Sequence, residues 1–177
     1  MNPYPPNDRI PPVDLDALSA EQREVADRIA GTRGRVPGPF ITLLHLPVLA
    51  DRVQALGAHL RYEGILDRGL AETVILVVAR RWGSTYVHRA HEPHARRAGI
   101  DDEIIGSVDA GDGFAAMPEP QGTACRYAAE LAETGHVGDE LREAALAALG
   151  RDGVIELTVL VGYYSLISLT LNGLGWD

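Results

Sequence analysis

Apolar residues recur along this chain at intervals of three and four, which is the spacing of one face of an α-helix. Val53, Leu56 and Leu60 follow this spacing, and no stretch alternates between apolar and polar residues as a half-buried strand would. The pattern therefore predicts an all-α fold. About nine helices are expected, over residues 20–30, 40–45, 47–60, 67–82, 85–98, 101–108, 121–135, 139–149 and 154–172.

Capping residues and helix breakers set the expected helix ends. Ser19 and Gln22 have the spacing of a capping box in front of the first helix, and Gly31 is expected to end it. Ser84 is a natural N-cap for the segment that begins at residue 85. Pro93 is expected to kink or restart that helix.

The first 13 residues contain five prolines, which predict an extended arm over residues 1–18. Residues 19–177 are expected to form a single helical domain. The arm lacks the charged-then-apolar layout of a signal peptide, so a cytoplasmic location is expected.

Charge and cysteine content narrow the function classes. The chain has 25 acidic and 16 basic residues and a net charge of −9, which disfavours nucleic acid as a partner. A single cysteine, Cys125, excludes an internal disulfide, a CxxC pair and a cysteine zinc cluster. The apolar stretch 154–172 is interrupted by Glu156 and Asn172, so we expect a buried or subunit-contact helix there rather than a membrane span.

The helix expected at 67–82 is apolar almost all round and contains one carboxylate, Glu72. Burying a carboxylate is costly unless it has partners, and Arg80, eight residues on, falls on roughly the same helical face. Ser84, His88 and His91 share one face of the next helix. Such a set of acid, hydroxyl and imidazoles suits proton transfer to a carbonyl substrate.

Plainer interpretations stay open for each of these residues. Glu72 can be only an ion-pair partner of an arginine, Ser84 only a cap, and the histidines at 88, 91 and 94 a partly exposed face. No HExxH spacing, GxSxG elbow or glycine-rich phosphate loop is present, so no metal site, serine nucleophile or nucleotide cofactor is predicted.

Residues 79–100, with Trp82, Ser84, Tyr86 and His91, resemble the signature helix pair of the carboxymuconolactone decarboxylase / AhpD-like family. Glu72 precedes this segment as a buried glutamate does in the family. Residues 38–40 and 156–164 are similar to the longer branch, and the resemblance covers about residues 30–175. It implies an AhpD-like orthogonal bundle of helices, a small-molecule substrate, no cofactor, and assembly into trimers or hexamers.

The sequence departs from that family at two places. Peroxidase members carry a CxxC pair where this chain has Ser84 and Val87, so peroxide reduction through thiol–disulfide exchange is unavailable. Decarboxylase-like members commonly have Glu-Trp where this chain has Val87-His88. A lactone hydrolase, an isomerase, a peroxidase without the pair and a non-catalytic binder therefore remain alternatives to a decarboxylase.

From the resemblance we expect His91 to act as the acid/base and Glu72 as its orienting or relay partner. Ser84 and Tyr86 are expected to donate hydrogen bonds. The residues expected to contact the substrate are Tyr86, His88, Arg80 and Trp82, with His88 or Arg80 on its carboxylate. A β-keto acid or an unsaturated carboxylated lactone can delocalise the electron pair left by decarboxylation, which is why no cofactor is expected.

Overall fold

The computed structural model describes residues 10–176, so half of the expected arm, residues 1–9, lies outside the described part. Residues 10–176 contain helices and no strand, which confirms the prediction of an all-α fold. Eight α-helices and one 3₁₀ turn, Phe114–Ala116, occur in this range. The helices are α1 (Ala20–Arg33), α2 (Gly38–Leu43), α3 (Pro47–Tyr62), α4 (Arg68–Arg81), α5 (Thr85–Arg97), α6 (Asp102–Ala110), α7 (Gln121–Thr134) and α8 (Asp139–Gly173).

The capping box at the start of α1 is confirmed. Ser19 Oγ accepts a hydrogen bond from the Gln22 amide, and Gln22 Oε1 accepts one from the Ser19 amide, at 3.2 and 2.9 Å. The expected end at Gly31 is wrong, because α1 continues to residue 33 and ends at Gly34. Gly34 has φ 73°, the left-handed backbone that closes a helix, whereas Gly31 stays helical.

Two expected interruptions are smaller in the structure than the sequence suggested. Helix α5 runs through Pro93 as one element. The break expected over residues 150–153 is present but shorter: the non-helical backbone of Gly150 (φ 69°, ψ 173°) forms a kink that divides α8 into two helical segments. Helix α8 is long and apolar enough to cross a membrane, and half of its most apolar 18 residues are buried in the protein. The core helix of a globular protein can have the same length and apolar composition.

The described residues form two compact units. The first comprises residues 10–63 and 173–176, where α3 packs against α1 and α2. Its core includes Val25, Ile29, Phe40 and Leu44. The second comprises residues 64–172. The expectation of one domain over residues 19–177 stays a prediction.

Helix α4 is the centre of the second unit. It packs against α5, α6 and α7, and every residue from Gly69 to Ala79 is buried. Because other helices pack around α4, its sequence is apolar on almost all faces. The Asp67 side chain caps its start by accepting a hydrogen bond from the Leu70 amide at 3.0 Å.

The end of α4 is tied to the end of α6 by Arg80. Its Nε and Nη2 donate to the carbonyl oxygens of Asp109 and Ala110, at 2.8 and 2.7 Å. The next residue, Gly111, has φ 77°, and a Cβ atom there would lie 2.2 Å from the guanidinium carbon. Glycine is therefore favoured at this position by the left-handed backbone, and any Cβ atom there would displace the Arg80 guanidinium.

We expect Gly111→Ala to destabilise the protein more than Gly135→Ala. Gly135 also has a left-handed backbone, φ 76°, but no atom lies within 4 Å of its Cβ position. The control should therefore cost about 1–2 kcal/mol for backbone strain alone. Gly111→Ala should cost about 1–2 kcal/mol more, because Arg80 must give up its carbonyl partners. Urea unfolding of both variants measures the difference, and equal losses would contradict this account of Arg80.

Candidate functional site

Glu72 lies in the middle of α4 and is 1% exposed. Its Oε2 is 2.6 Å from Nδ1 of His91, and its Oε1 is 2.7 Å from Nη2 of Arg68. The expected meeting of Glu72 and His91 is thus present in the structure. Both carboxylate oxygens have a nitrogen partner, which offsets the cost of burying the group.

Arg68 comes from the first turn of α4, four residues before Glu72. This spacing places the two side chains on one helical face, one turn apart. The Arg68 side chain is 38% exposed, so its guanidinium connects the buried carboxylate with the protein surface. Arg68 was not among the predicted site residues, although its i,i+4 spacing from Glu72 was a signal that could have identified it.

His91 projects from α5 and is 8% exposed. The Tyr164 ring of α8 meets its imidazole edge-on, with ring centroids 4.9 Å apart and planes at 84°. The His94 ring is next, at 5.8 Å. Tyr164 is buried and packs edge-on against Tyr163. Tyr164 was not among the predicted site residues, although it lies at the end of the segment 156–164 that resembles the family and belongs to a tyrosine pair inside an apolar helix.

The Glu72–His91 contact defines what this histidine can do. If Nδ1 carries the proton, it donates to the carboxylate and Nε2 becomes the basic nitrogen of the ring. When Nε2 takes up a proton, the resulting imidazolium stays next to the Glu72 carboxylate. Charge interactions are stronger in a buried site than in water, so this pair can stabilise a proton in transit.

Ser84 and Tyr86 lie at the start of α5. Ser84 is 1% exposed and occupies the N-cap position, but its side chain makes no capping hydrogen bond. Its burial is therefore not explained by capping. Tyr86 is half-buried in the first turn. Trp82, just before them, donates from Nε1 to Ser165 Oγ on α8 at 2.9 Å.

The two residues expected on a substrate carboxylate are both engaged at the end of α6. His88 Nε2 is 2.7 Å from Asp109 Oδ1, and the side chain is 21% exposed. Arg80 binds the last carbonyls of α6 and is not the arginine that pairs with Glu72. Glu72 and His91 thus contact each other, whereas Arg80 and His88 contact the end of α6.

A second carboxylate stabilises the loop that precedes α4. Glu156 of α8 accepts hydrogen bonds from the amides of Ile65 and Leu66, at 2.9 and 3.1 Å. These amides belong to the loop that leads into α4 and to Arg68. Helix α8 therefore contacts His91 through Tyr164 and the loop before α4 through Glu156.

The cysteine of this chain and its possible metal ligands are the remaining groups that could carry chemistry. Cys125 is fully buried on α7, and burial raises the pKa of its thiol to about 12. Within residues 10–176, no three His, Cys, Asp or Glu side chains are grouped so that they could hold a metal ion. The ionisable centre of this region is the Arg68–Glu72–His91 chain.

Solved structures share the fold of this chain. The crystal structure of the debrominase Bmp8 in its apo form has a TM-score of 0.78 at 13% identity, covering 95% of this chain and 90% of that one. A cysteine-to-alanine variant of Bmp8 in complex with 2,3,4-tribromopyrrole has a TM-score of 0.73, with the same identity and coverage. No family model and no curated protein sequence matches the chain. The likeness supports an all-helical fold that this chain shares with Bmp8, and at this identity it shows the fold alone.

We expect the Cys125 thiol to resist alkylation in the folded protein. With a pKa of about 12, only about one thiol in 10⁴ is ionised at pH 8, and the side chain is fully buried. Iodoacetamide at pH 8 should leave the native protein unmodified and label it fully in urea, as read by mass spectrometry. Rapid labelling of the native protein would contradict the burial of this thiol.

Proposed function

We propose that this chain is a small-molecule enzyme of the carboxymuconolactone decarboxylase-like kind, in which Glu72 and His91 transfer a proton at carbon. The observation that carries the proposal is the 2.6 Å contact between Glu72 Oε2 and His91 Nδ1, with both residues buried. A carboxylate that only balanced a surface arginine would not need an imidazole on its second oxygen. The proposed chemistry uses no metal and no organic cofactor.

The reaction that fits best is decarboxylation of a β-keto acid or a carboxylated unsaturated lactone. The bond to the carboxyl carbon breaks, carbon dioxide leaves, and the electron pair moves into the conjugated carbonyl to form an enolate. His91 then delivers a proton from Nε2 to the carbanionic carbon, and Glu72 holds the imidazolium before that step. Ser84 and Tyr86, at the start of the same helix, are the proposed donors to the enolate oxygen.

Contacts in the structure change the proposed roles of three residues. Because Arg80 and His88 are engaged at the end of α6, neither carries the proposal as a ligand for the substrate carboxylate. Trp82 is proposed only as a wall of the site, since its indole N–H is already donated to Ser165. The acid/base role therefore rests on Glu72 and His91 alone.

Debromination is the second candidate, because the matched solved structures are of a debrominase. Replacing bromine by hydrogen also protonates a carbon, so a proton donor such as His91 serves either reaction. Carbon dioxide leaves without an acceptor, whereas bromine lost as a cation equivalent needs a nucleophile to receive it. Cys125 is buried with a raised pKa, so this chain does not offer a thiolate for that step. This difference favours decarboxylation.

A substrate panel tests the proposal directly. The full-length protein should release carbon dioxide from at least one β-keto acid or carboxylated lactone, and it should leave 2,3,4-tribromopyrrole unchanged in the absence of added thiol. Carbon dioxide and bromide are measured in parallel, and a thermal-shift assay with the same compounds detects binding. Binding without turnover would instead indicate a non-catalytic small-molecule protein, and hydrolysis or isomerisation of a lactone would replace the decarboxylase proposal.

His91→Ala should lower kcat by about 10²–10⁴-fold on any substrate found, because the proton donor is lost. Glu72→Gln should cause a smaller loss, since a neutral amide still orients the ring but does not stabilise the imidazolium. His136→Ala is the matched control, because His136 is exposed on the loop before α8. Circular dichroism should show unchanged helix content in each variant. Full activity of His91→Ala would remove this residue from the mechanism.

A further inference from the structure

The ion pair of Arg68 and Glu72 differs from the other ion pairs that arginine and glutamate form along one helix face. In the Arg96–Glu92 pair, which has the same i,i+4 spacing, the two side chains are 45 and 33% exposed, so water screens both charges. The Glu72 side chain is 1% exposed, whereas Arg68 reaches the surface. Water therefore screens the buried carboxylate far less, and the arginine acts on it more strongly than in a surface pair.

The place of Arg68 in its helix is unfavourable without this contact. Arg68 is the first residue of α4, where the aligned peptide dipoles disfavour a cation. Its backbone is nevertheless held there, because Glu156 binds the amides of the preceding loop and Asp67 caps the helix. From this position the side chain reaches Glu72 one turn on, and the attraction between the two charges offsets the cost.

Arg68 and His91 bind opposite oxygens of one carboxylate. Nη2 of Arg68 is 2.7 Å from Oε1 of Glu72, and Nδ1 of His91 is 2.6 Å from Oε2. The terminal torsion of a glutamate is broad, so a single contact leaves the carboxylate more freedom to turn. Contacts on both oxygens restrict that rotation. Arg68 therefore helps to fix the direction in which Oε2 meets the imidazole.

The charge of Arg68 also acts on the proton of His91. An ionised glutamate favours the protonated imidazole beside it, and this attraction is strong in a buried site. A second cation on the same carboxylate opposes the effect, because two positive groups then share one negative charge. A proton donor works best when its pKa lies near the working pH. Glu72 without Arg68 would hold the proton on His91 too firmly for efficient donation.

Other titratable groups lie near this pair. The His94 ring of α5 is 5.8 Å from that of His91, and Tyr164 of α8, which packs against His91, is uncharged near neutral pH. Helices α6 and α7 also pack against α4. Asp109 of α6 is paired with another histidine, and Cys125 of α7 stays a thiol because burial raises its pKa to about 12. The titration of His94 is therefore the one to separate from that of His91.

We infer that Arg68 is a positioning residue of this site, which holds the Glu72 carboxylate in place and lowers the affinity of the pair for the proton on His91. In this role Arg68 acts through Glu72 and does not touch the carbon that is protonated. The inference rests on the proposed function for its catalytic meaning, since there His91 donates the proton. The resting pair can be measured without any substrate, so the two proposals can fail separately.

Nuclear magnetic resonance titration of the His91 ring tests the electrostatic effect. The signal is assigned by its loss in His91→Gln, and the titration is repeated in a His94→Gln background. Arg68→Gln removes the charge but keeps an amide that can donate to Glu72. The His91 midpoint should then rise by about 1–3 pH units, because loss of a positive charge favours the protonated ring. Arg68→Lys keeps the charge and should stay much closer to wild type. An unmoved midpoint in Arg68→Gln, or an equal rise in Arg68→Lys, would overturn the inference.

Arg96→Gln is the matched control, since it removes the same charge from an i,i+4 pair whose glutamate is not buried. It should move the His91 midpoint clearly less than Arg68→Gln does, and an equal movement would show that the effect is not specific to Arg68. Circular dichroism and urea unfolding of each variant reveal a merely structural role. Lower stability of Arg68→Gln with an unchanged His91 midpoint would reduce Arg68 to a structural partner of Glu72 and overturn the inference.

Kinetics on any substrate that the wild type converts test the catalytic consequence. The alkaline limb of the pH profile of kcat/KM should move upward in Arg68→Gln by the same interval as the His91 midpoint, since the donor acts only while it is protonated. The plateau of kcat should fall, because a more basic imidazole is a weaker acid, and Arg68→Lys should recover most of it. An alkaline limb that stays in place while the midpoint moves would overturn the catalytic role of Arg68. If the wild type converts no compound, the proposed function fails, and the titration still decides whether Arg68 controls the pair.

Discussion

A carboxylate that is 1% exposed must have a partner on each oxygen, and this requirement organises the second unit of the protein. Glu72 lies in the middle of α4, and the other buried residues of this helix are uncharged. His91 reaches it from α5, and Arg68 reaches it along α4 from the surface. The Glu72–His91 contact joins α4 to α5 and places the imidazole of His91 beside the ring of Tyr164 on α8.

The fold and the central pair were predictable because their signals are local. The spacing of apolar residues gives the helices, and a lone acid in an apolar run identifies Glu72 as a residue that needs partners. The arginine partner was harder to predict, because Arg68 and Arg80 both fall near the face of Glu72 on a helical wheel. Distance along the axis decides between them. One turn is about 5.4 Å and two turns are about 11 Å, so only Arg68 is near enough while Arg80 reaches α6 instead.

Sequence patterns could not predict the contacts that residues far apart in the chain make around the site. Tyr164 and Glu156 act on the site from α8, and no periodicity along the chain relates them to His91 or to the loop before α4. The end of α1 has a different cause. Gly31 and Gly34 are equally plausible ends in sequence, and only the left-handed backbone at Gly34 distinguishes them. The break expected at residues 150–153 is present, but it is confined to the kink at Gly150, and the sequence did not show that the next residues are already helical.

The contact between Arg80 and Gly111 has an evolutionary consequence. A side chain at position 111 would displace the guanidinium from its two carbonyl partners, so the two positions are energetically coupled. Where a related sequence has lost the arginine at the end of the fourth helix, the glycine after the sixth is released from one of its two constraints, and asparagine becomes acceptable there. Covariation of these two positions would then identify distant relatives that share this helix junction, even where the residues around Glu72 have changed.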